Sequence, residues 1–105
     1  MTKKAAKPKR SKRGSRVVIP AGVTSIDAVY DILARDLDLP AHFGRNLDAL
    51  YDALTGDVEG PFEIVVEDPE ALASALGAKG RALLTLLRDL AKARRDVNIT
   101  LRVGR

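Results

Sequence analysis

The stretch PFEIVVE, from Pro61 to Glu67, is almost entirely β-branched or apolar at its centre, which predicts a strand. Its neighbours on both sides decide the fold. Toward the C-terminus a helical region is expected from about Pro69 to Arg94, with Leu83, Leu84, Leu86, Leu87, Leu90 and Ala91 as its broad apolar face and a break near Gly77 and Gly80. VNITLRV, Val97 to Val103, then reads as a closing strand. Toward the N-terminus, RVVIP, Arg16 to Pro20, is a β-branched run ended by proline and predicts a first strand. Ser25 is placed to cap a helix beginning near Ile26, where Ile26, Val29, Tyr30, Leu33 and Leu37 recur at helical spacing, and Pro40 is expected to stop it. Three strands separated by tens of residues that contain helices are the pattern of parallel β-α-β units. The expected fold is therefore α/β, a small three-stranded parallel β-sheet packed with α-helices through right-handed crossovers.

The chain has 105 residues, enough for one small domain with a single core of modest stability. It has no cysteine, which excludes a disulfide framework and a thiolate metal site. The apolar pieces near the N-terminus, Ala5-Ala6 and Val17 to Ile19, are too short for a signal-peptide core. No run approaches the ~18 apolar residues of a membrane span, so a cytoplasmic protein with no membrane association is expected. The net charge of +4 is unevenly divided. Residues 1–16 carry eight Lys or Arg and no acid, whereas residues 46–70 carry eight acids and no Lys or Arg. Residues 1–15 are expected to form a disordered basic arm and residues 16–105 the folded domain.

Between the first helix and PFEIVVE lies FGRNLDALYDALTG, Phe43 to Gly56. Asn46 is a good N-cap, Leu47, Leu50 and Leu54 mark a buried stripe, Gly44 supplies a permissive turn and Gly56 a stop. Asp48 and Asp52 project about 130° away from the centre of that stripe. Like charges four residues apart cost a few tenths of a kcal/mol. The helix dipole accounts for Asp48 in the first turn but not for Asp52. Asp57 and Glu59 add two more carboxylates just beyond. A solvated acidic face is the plain reading. A catalytic pair would need a cleft that drives the two pKa values apart, which nothing in the sequence supplies. A calcium loop would need its own spacing of ligands, which is absent. A surface that binds a cationic partner needs only a rigid helix.

The segment LPAHFGRNLDALYDALTGDVEGP, residues 39–61, resembles the barstar family of intracellular inhibitors of bacterial ribonucleases. The match runs without gaps through Leu-Pro, Gly44, Asn46-Leu47-Asp48-Ala49-Leu50, an aromatic, Asp52, and Leu54-Thr55-Gly56. The flanks, including NITL near the C-terminus, agree in hydrophobic pattern. The resemblance implies a barstar-like α/β fold and a tight-binding inhibitor, not an enzyme, that plugs the active site of a barnase-like ribonuclease. By position, Asp52 matches the central anchor, which enters the enzyme's phosphate site, and Asp48 a second acidic contact. His42, Phe43, Gly44 and Asn46 match the loop and helix start that cover the catalytic groups, and Tyr51 an aromatic contact. Thr55 and Glu59 fall within the same matched segment, and Asp89, in LLRDLAK, matches a further acidic contact on the last helix. The implied partner is a basic, extracellular-type ribonuclease bound one to one by a monomer, with no cofactor and no metal.

Several positions depart from the family pattern. His42, the only histidine, stands where tyrosine is common, and it would make a contact sensitive to pH. Arg45 puts a cation beside the acidic helix, either to read an acid on the partner enzyme or to pair with a neighbouring acid. Asp57 replaces an aromatic, which points to an enzyme other than barnase itself. Gly60-Pro61 is open to cis, as in the family, although trans is the ordinary expectation. The basic arm has no counterpart in the resemblance. It supports a different reading, a nucleic-acid-binding protein in which residues 3–16 contact phosphates nonspecifically and the acidic body recruits a partner.

Overall fold

A computed structural model describes residues 15–40 and 43–102. The expected arm, apart from Ser15, lies outside the described residues, as do His42 and the last residue of the expected closing strand, Val103. The chain forms β1 (Ser15–Ile19), α1 (Ile26–Leu37), α2 (Leu47–Asp52), a π-helical segment (Ala53–Asp57), β2 (Phe62–Val66), α3 (Pro69–Leu76), α4 (Ala78–Ala93) and β3 (Val97–Leu101). The strands pair in chain order and all in parallel, with Val17 opposite Ile64 and Ile64 opposite Ile99. This is the expected α/β architecture with its three-stranded parallel sheet.

Alternation along the strands decides which sheet face meets the helices. Val17, Ile19, Phe62, Ile64, Val66 and Val97 enter one core with Val29, Leu33 and Leu37 of α1, Leu50 of α2, and Leu83, Leu87 and Leu90 of α4. The alternate positions mix the polar residues Arg16, Glu63, Asn98 and Thr100 with Val18 and the buried Val65. Glu63 accepts a hydrogen bond from the Thr100 hydroxyl at 2.7 Å and lies 3.5 Å from Arg16 Nε. No polar or charged side chain is buried among the described residues, so apolar burial dominates the stability of the fold.

Local chemistry sets the helix ends. Ser25 Oγ accepts from Ala28 N at 3.1 Å, as expected, and a cap of this kind is worth ~1 kcal/mol. Pro40 is not the stop for α1. Asp38 adopts the left-handed conformation (φ 56°), and the N–H groups of Asp38 and Leu39 both return to the Ala34 carbonyl. Between α3 and α4 the break falls at Gly77, whose φ of 64° suits glycine, while Gly80 continues the helix. Gly80 serves close packing, since a Cβ there would sit 2.7 Å from the Leu72 carbonyl oxygen. The Gly60-Pro61 bond is cis, against the ordinary trans expectation. An X-Pro bond loses little in that form.

Candidate functional site

The acidic helix is built by its cap. Asn46 Oδ1 accepts from Ala49 N at 2.8 Å, and Nδ2 donates to the Gly44 carbonyl at 3.4 Å. The left-handed turn before the cap belongs to Arg45 (φ 55°), not Gly44 as the sequence suggests. Gly44 is needed instead for clearance, because a Cβ there would lie 3.3 Å from Ala49 Cβ. Phe43 is half-buried. Its ring meets Tyr30 edge-on at 5.6 Å, and its N–H donates to the Pro40 carbonyl at 2.9 Å. Phe43 therefore anchors the loop to α1 as well as facing outward.

Beyond the cap the helix does not stop at Gly56. It widens into the π-helical segment, in which Val58 N donates to the Ala53 carbonyl, five residues back, at 3.1 Å. Leu50, Ala53, Leu54 and Val58 point into the core, leaving Asp48 and Asp52 exposed. Thr55 turns its hydroxyl onto its own helix, donating to the Tyr51 carbonyl at 2.8 Å. Its oxygen can still accept from outside.

The helices α2 and α4 pack side by side, and the space between them is an open groove of about 580 Å³ lined by Leu47, Asp48, Tyr51 and Asp52 on one wall and Ala82, Thr85, Leu86 and Asp89 on the other. Four of the residues expected to touch a partner, Asp48, Tyr51, Asp52 and Asp89, thus share one groove that has no basic side chain in its lining. Tyr51 gives it a half-buried aromatic floor. Asn46 borders the opposite flank of α2, in a depression of mixed charge with Asp27, Arg45, Asp48 and Lys79. Phe43, Gly44, Thr55 and Glu59 line neither of these two depressions, and Glu59 is exposed in the loop before β2.

The cation expected beside the acidic helix has neighbouring acids as partners. Arg45 Nη2 lies 2.9 Å from Asp31 Oδ1 and 3.4 Å from Asp27 Oδ1, and the guanidinium stands 5.7 Å from the Tyr30 ring centroid. The hydrogen bond to Asp31 raises the Arg45 pKa further above its already high value, so the charge is permanent. Burial, helped by the charge of Asp27, raises the Tyr30 phenol above its ordinary pKa.

Of the other wall, the sequence reading places Leu86 in the apolar core face of the helix and does not single out Ala82 and Thr85; Leu86 is indeed buried, and it also lines the groove. A signal for Ala82 and Thr85 exists: positions 82, 85, 86 and 89 follow the i, i+3, i+4, i+7 rule for a single helix face. Among the described residues no three His, Cys, Asp or Glu side chains are grouped so as to hold a metal ion, and no helix is long and apolar enough to cross a membrane.

Comparison with known proteins identifies the family. A family model described as Barstar (barnase inhibitor) matches residues 15–104. The Bacillus subtilis (strain 168) protein named "Putative ribonuclease inhibitor YrdF" is 35% identical over 72 residues, covering 69% of this chain and 79% of that protein. The family expected from residues 39–61 is the one found, and the chain belongs to the barstar family.

Proposed function

We propose that the protein is a stoichiometric inhibitor of a basic, barnase-like ribonuclease, not an enzyme, and that it binds one to one through α2, the loop before it and the groove shared with α4. A ribonuclease must hold a polyanion with Arg and Lys side chains, and fixed carboxylates can occupy the same cationic site. The observation that carries this reading is the convergence of Asp48 and Asp52 from α2 with Asp89 from α4 on one groove without a basic lining residue. Family membership and the name of the Bacillus relative support it. In this reading Asp52 is the anchor, Asp48 and Asp89 flank it, and His42, Phe43, Gly44 and Asn46 form the covering loop. Tyr51, Thr55 and Glu59 complete the contact. Repulsion among the carboxylates in the free protein is relieved when the enzyme's cations arrive, which favours rapid, salt-sensitive association.

The test is a pull-down from the source cell's own lysate with the wild type and Asp52→Ala in parallel, read as RNA-cleaving activity in the bound fraction. A basic ribonuclease retained by the wild type and lost by the variant is expected. Equal recovery by both would remove α2 from the binding surface.

A further inference from the structure

The π-helical segment leaves an acceptor without its usual donor. In a regular α-helix the Leu54 carbonyl would accept from Val58 N, but that N–H is committed to the Ala53 carbonyl. The vacancy is filled from forty residues away, where Arg94 Nη1 donates to the Leu54 carbonyl at 2.9 Å and to the Val58 carbonyl at 2.6 Å. The rest of the guanidinium is equally committed. Nε and Nη2 donate to the two carboxylate oxygens of Asp96 at 3.0 and 2.7 Å, and the group stands 5.3 Å from the Phe62 ring centroid. The Arg94 side chain is only 17% exposed. Gly60 closes over the pair, and a Cβ there would overlap the Asp96 carboxylate.

The placement of this guanidinium gives it a role. Arg94 directly follows α4, whose N–H···O ladder it ends by donating to the Leu90 carbonyl at 3.0 Å. The carbonyls it holds, of Leu54 and Val58, belong to the second residue of the segment that continues α2 and to the residue that caps it. One side chain therefore ties the π-helical continuation of the wall carrying Asp52 to the C-terminal end of the wall carrying Asp89. We propose that Arg94 is a positioning residue for the inhibitory site, fixing the two acidic walls of the groove relative to each other so that the carboxylates are set before the partner arrives. The proposal rests on the inhibitor reading for its consequence but not for its geometry. Because Arg94 is paired one to one with Asp96 and does not line the groove, it contributes to preorganisation and little to long-range attraction.

Two measurements on the full-length protein test this. The first is amide hydrogen exchange in the free protein. Arg94→Ala is expected to speed exchange through residues 53–58 while leaving the central strand β2 protected, and Arg94→Lys, which keeps one donor group, is expected to recover part of that protection. Unchanged exchange in residues 53–58 overturns the proposal, whether or not any ribonuclease binds. The second uses barnase as the probe, with association and dissociation measured separately. Losing hydrogen bonds from a charged donor should raise the dissociation rate of Arg94→Ala by roughly tenfold or more. The association rate should stay within about twofold, since steering depends on net charge outside the pair. Wild-type dissociation from the variant, or an equal loss in both rates, overturns the positioning role. If the wild type itself fails to bind barnase, the inhibitor reading is at fault for that enzyme, and the exchange result alone decides the clamp. Should Arg94→Ala fail to fold, Asp96→Asn, which keeps the guanidinium but loses its ionic anchor, must show the same pattern in weaker form. Wild-type behaviour there overturns the proposal.

Discussion

The Arg45 guanidinium reaches back to Asp31 on α1, with Nη2 2.9 Å from Oδ1, so that the cation at the entrance to the acidic helix is turned toward a neighbouring element. The pair is exposed, with side-chain accessibilities of 43% and 69%. Its effect on stability is accordingly small. Its effect on the surrounding potential is larger. Arg45→Ala removes a positive charge near Asp48 and should quicken association with a cationic ribonuclease at low salt. The gain should fade as the Debye length shrinks below about 10 Å above 0.1 M salt. Stopped-flow association at two ionic strengths checks this, and a slower variant would mean that Arg45 meets an acid on the enzyme.

Asp52→Ala should weaken binding by about 2–5 kcal/mol, because its removal leaves the enzyme's cations buried and unpaired. Asp48→Ala and Asp89→Ala should cost less. Asp52→Ala and Asp89→Ala should not lower the melting temperature, and relief of the like charges should make Asp52→Ala more stable by a few tenths of a kcal/mol, whereas Asp48→Ala also loses the favourable place of an acid in the first helical turn. Calorimetric titration beside thermal melts separates the two quantities.

Gly80→Ala tests the packing of α3 on α4. In an open helix this change would stabilise by about 1 kcal/mol. Here the new methyl would meet the Leu72 carbonyl oxygen at 2.7 Å and Ala73 Cα at 3.0 Å, both backbone atoms with little freedom to yield. A net destabilisation of about 1–3 kcal/mol is expected in urea unfolding.

The Arg94 hydrogen bonds hold the Asp96 carboxyl below its ordinary pKa. A depressed carboxylate pKa stabilises the fold above the unfolded value. That contribution is therefore complete at neutral pH and is lost as pH falls below the usual carboxylate range through the depressed folded value. Asp96→Asn should remove this part of the acid dependence. Melting curves between neutral pH and about pH 2 for both proteins give the comparison, and identical slopes would show that the pair adds nothing.

The legible parts of the fold were those whose signals are local. The β-branched runs of β1, β2 and β3, the spacing of Val29, Tyr30, Leu33 and Leu37, and the caps at Ser25 and Asn46 all act within a few residues. The acidic groove was half legible. Asp48 and Asp52 announce themselves by their uncompensated spacing, but the wall that α4 supplies depends on how two helices dock. The misread positions share one cause. Gly56 looks like a helix end, yet the segment runs on to Asp57, with the Leu54 carbonyl it leaves open taking its donor from Arg94, far along the chain. Gly44 looks like the left-handed residue, yet Arg45 takes that conformation, with its side chain held by Asp31 and Tyr30 on another helix. A glycine marks where unusual geometry is tolerated, whereas long-range contacts decide where it occurs.

The strand order also bears on how the chain reaches its native state. Every sheet contact joins partners dozens of residues apart, Ser15 with Phe62 and Phe62 with Val97. Among the described residues no hairpin is available to nucleate the sheet early. The entropy of closing two long loops must be spent before any ladder forms, so refolding should be slow beside a helical bundle of equal size. Until then, the apolar edges of β1 and β2 are open to other chains, and a cell making this protein in quantity would meet aggregation during synthesis before it met instability of the finished fold.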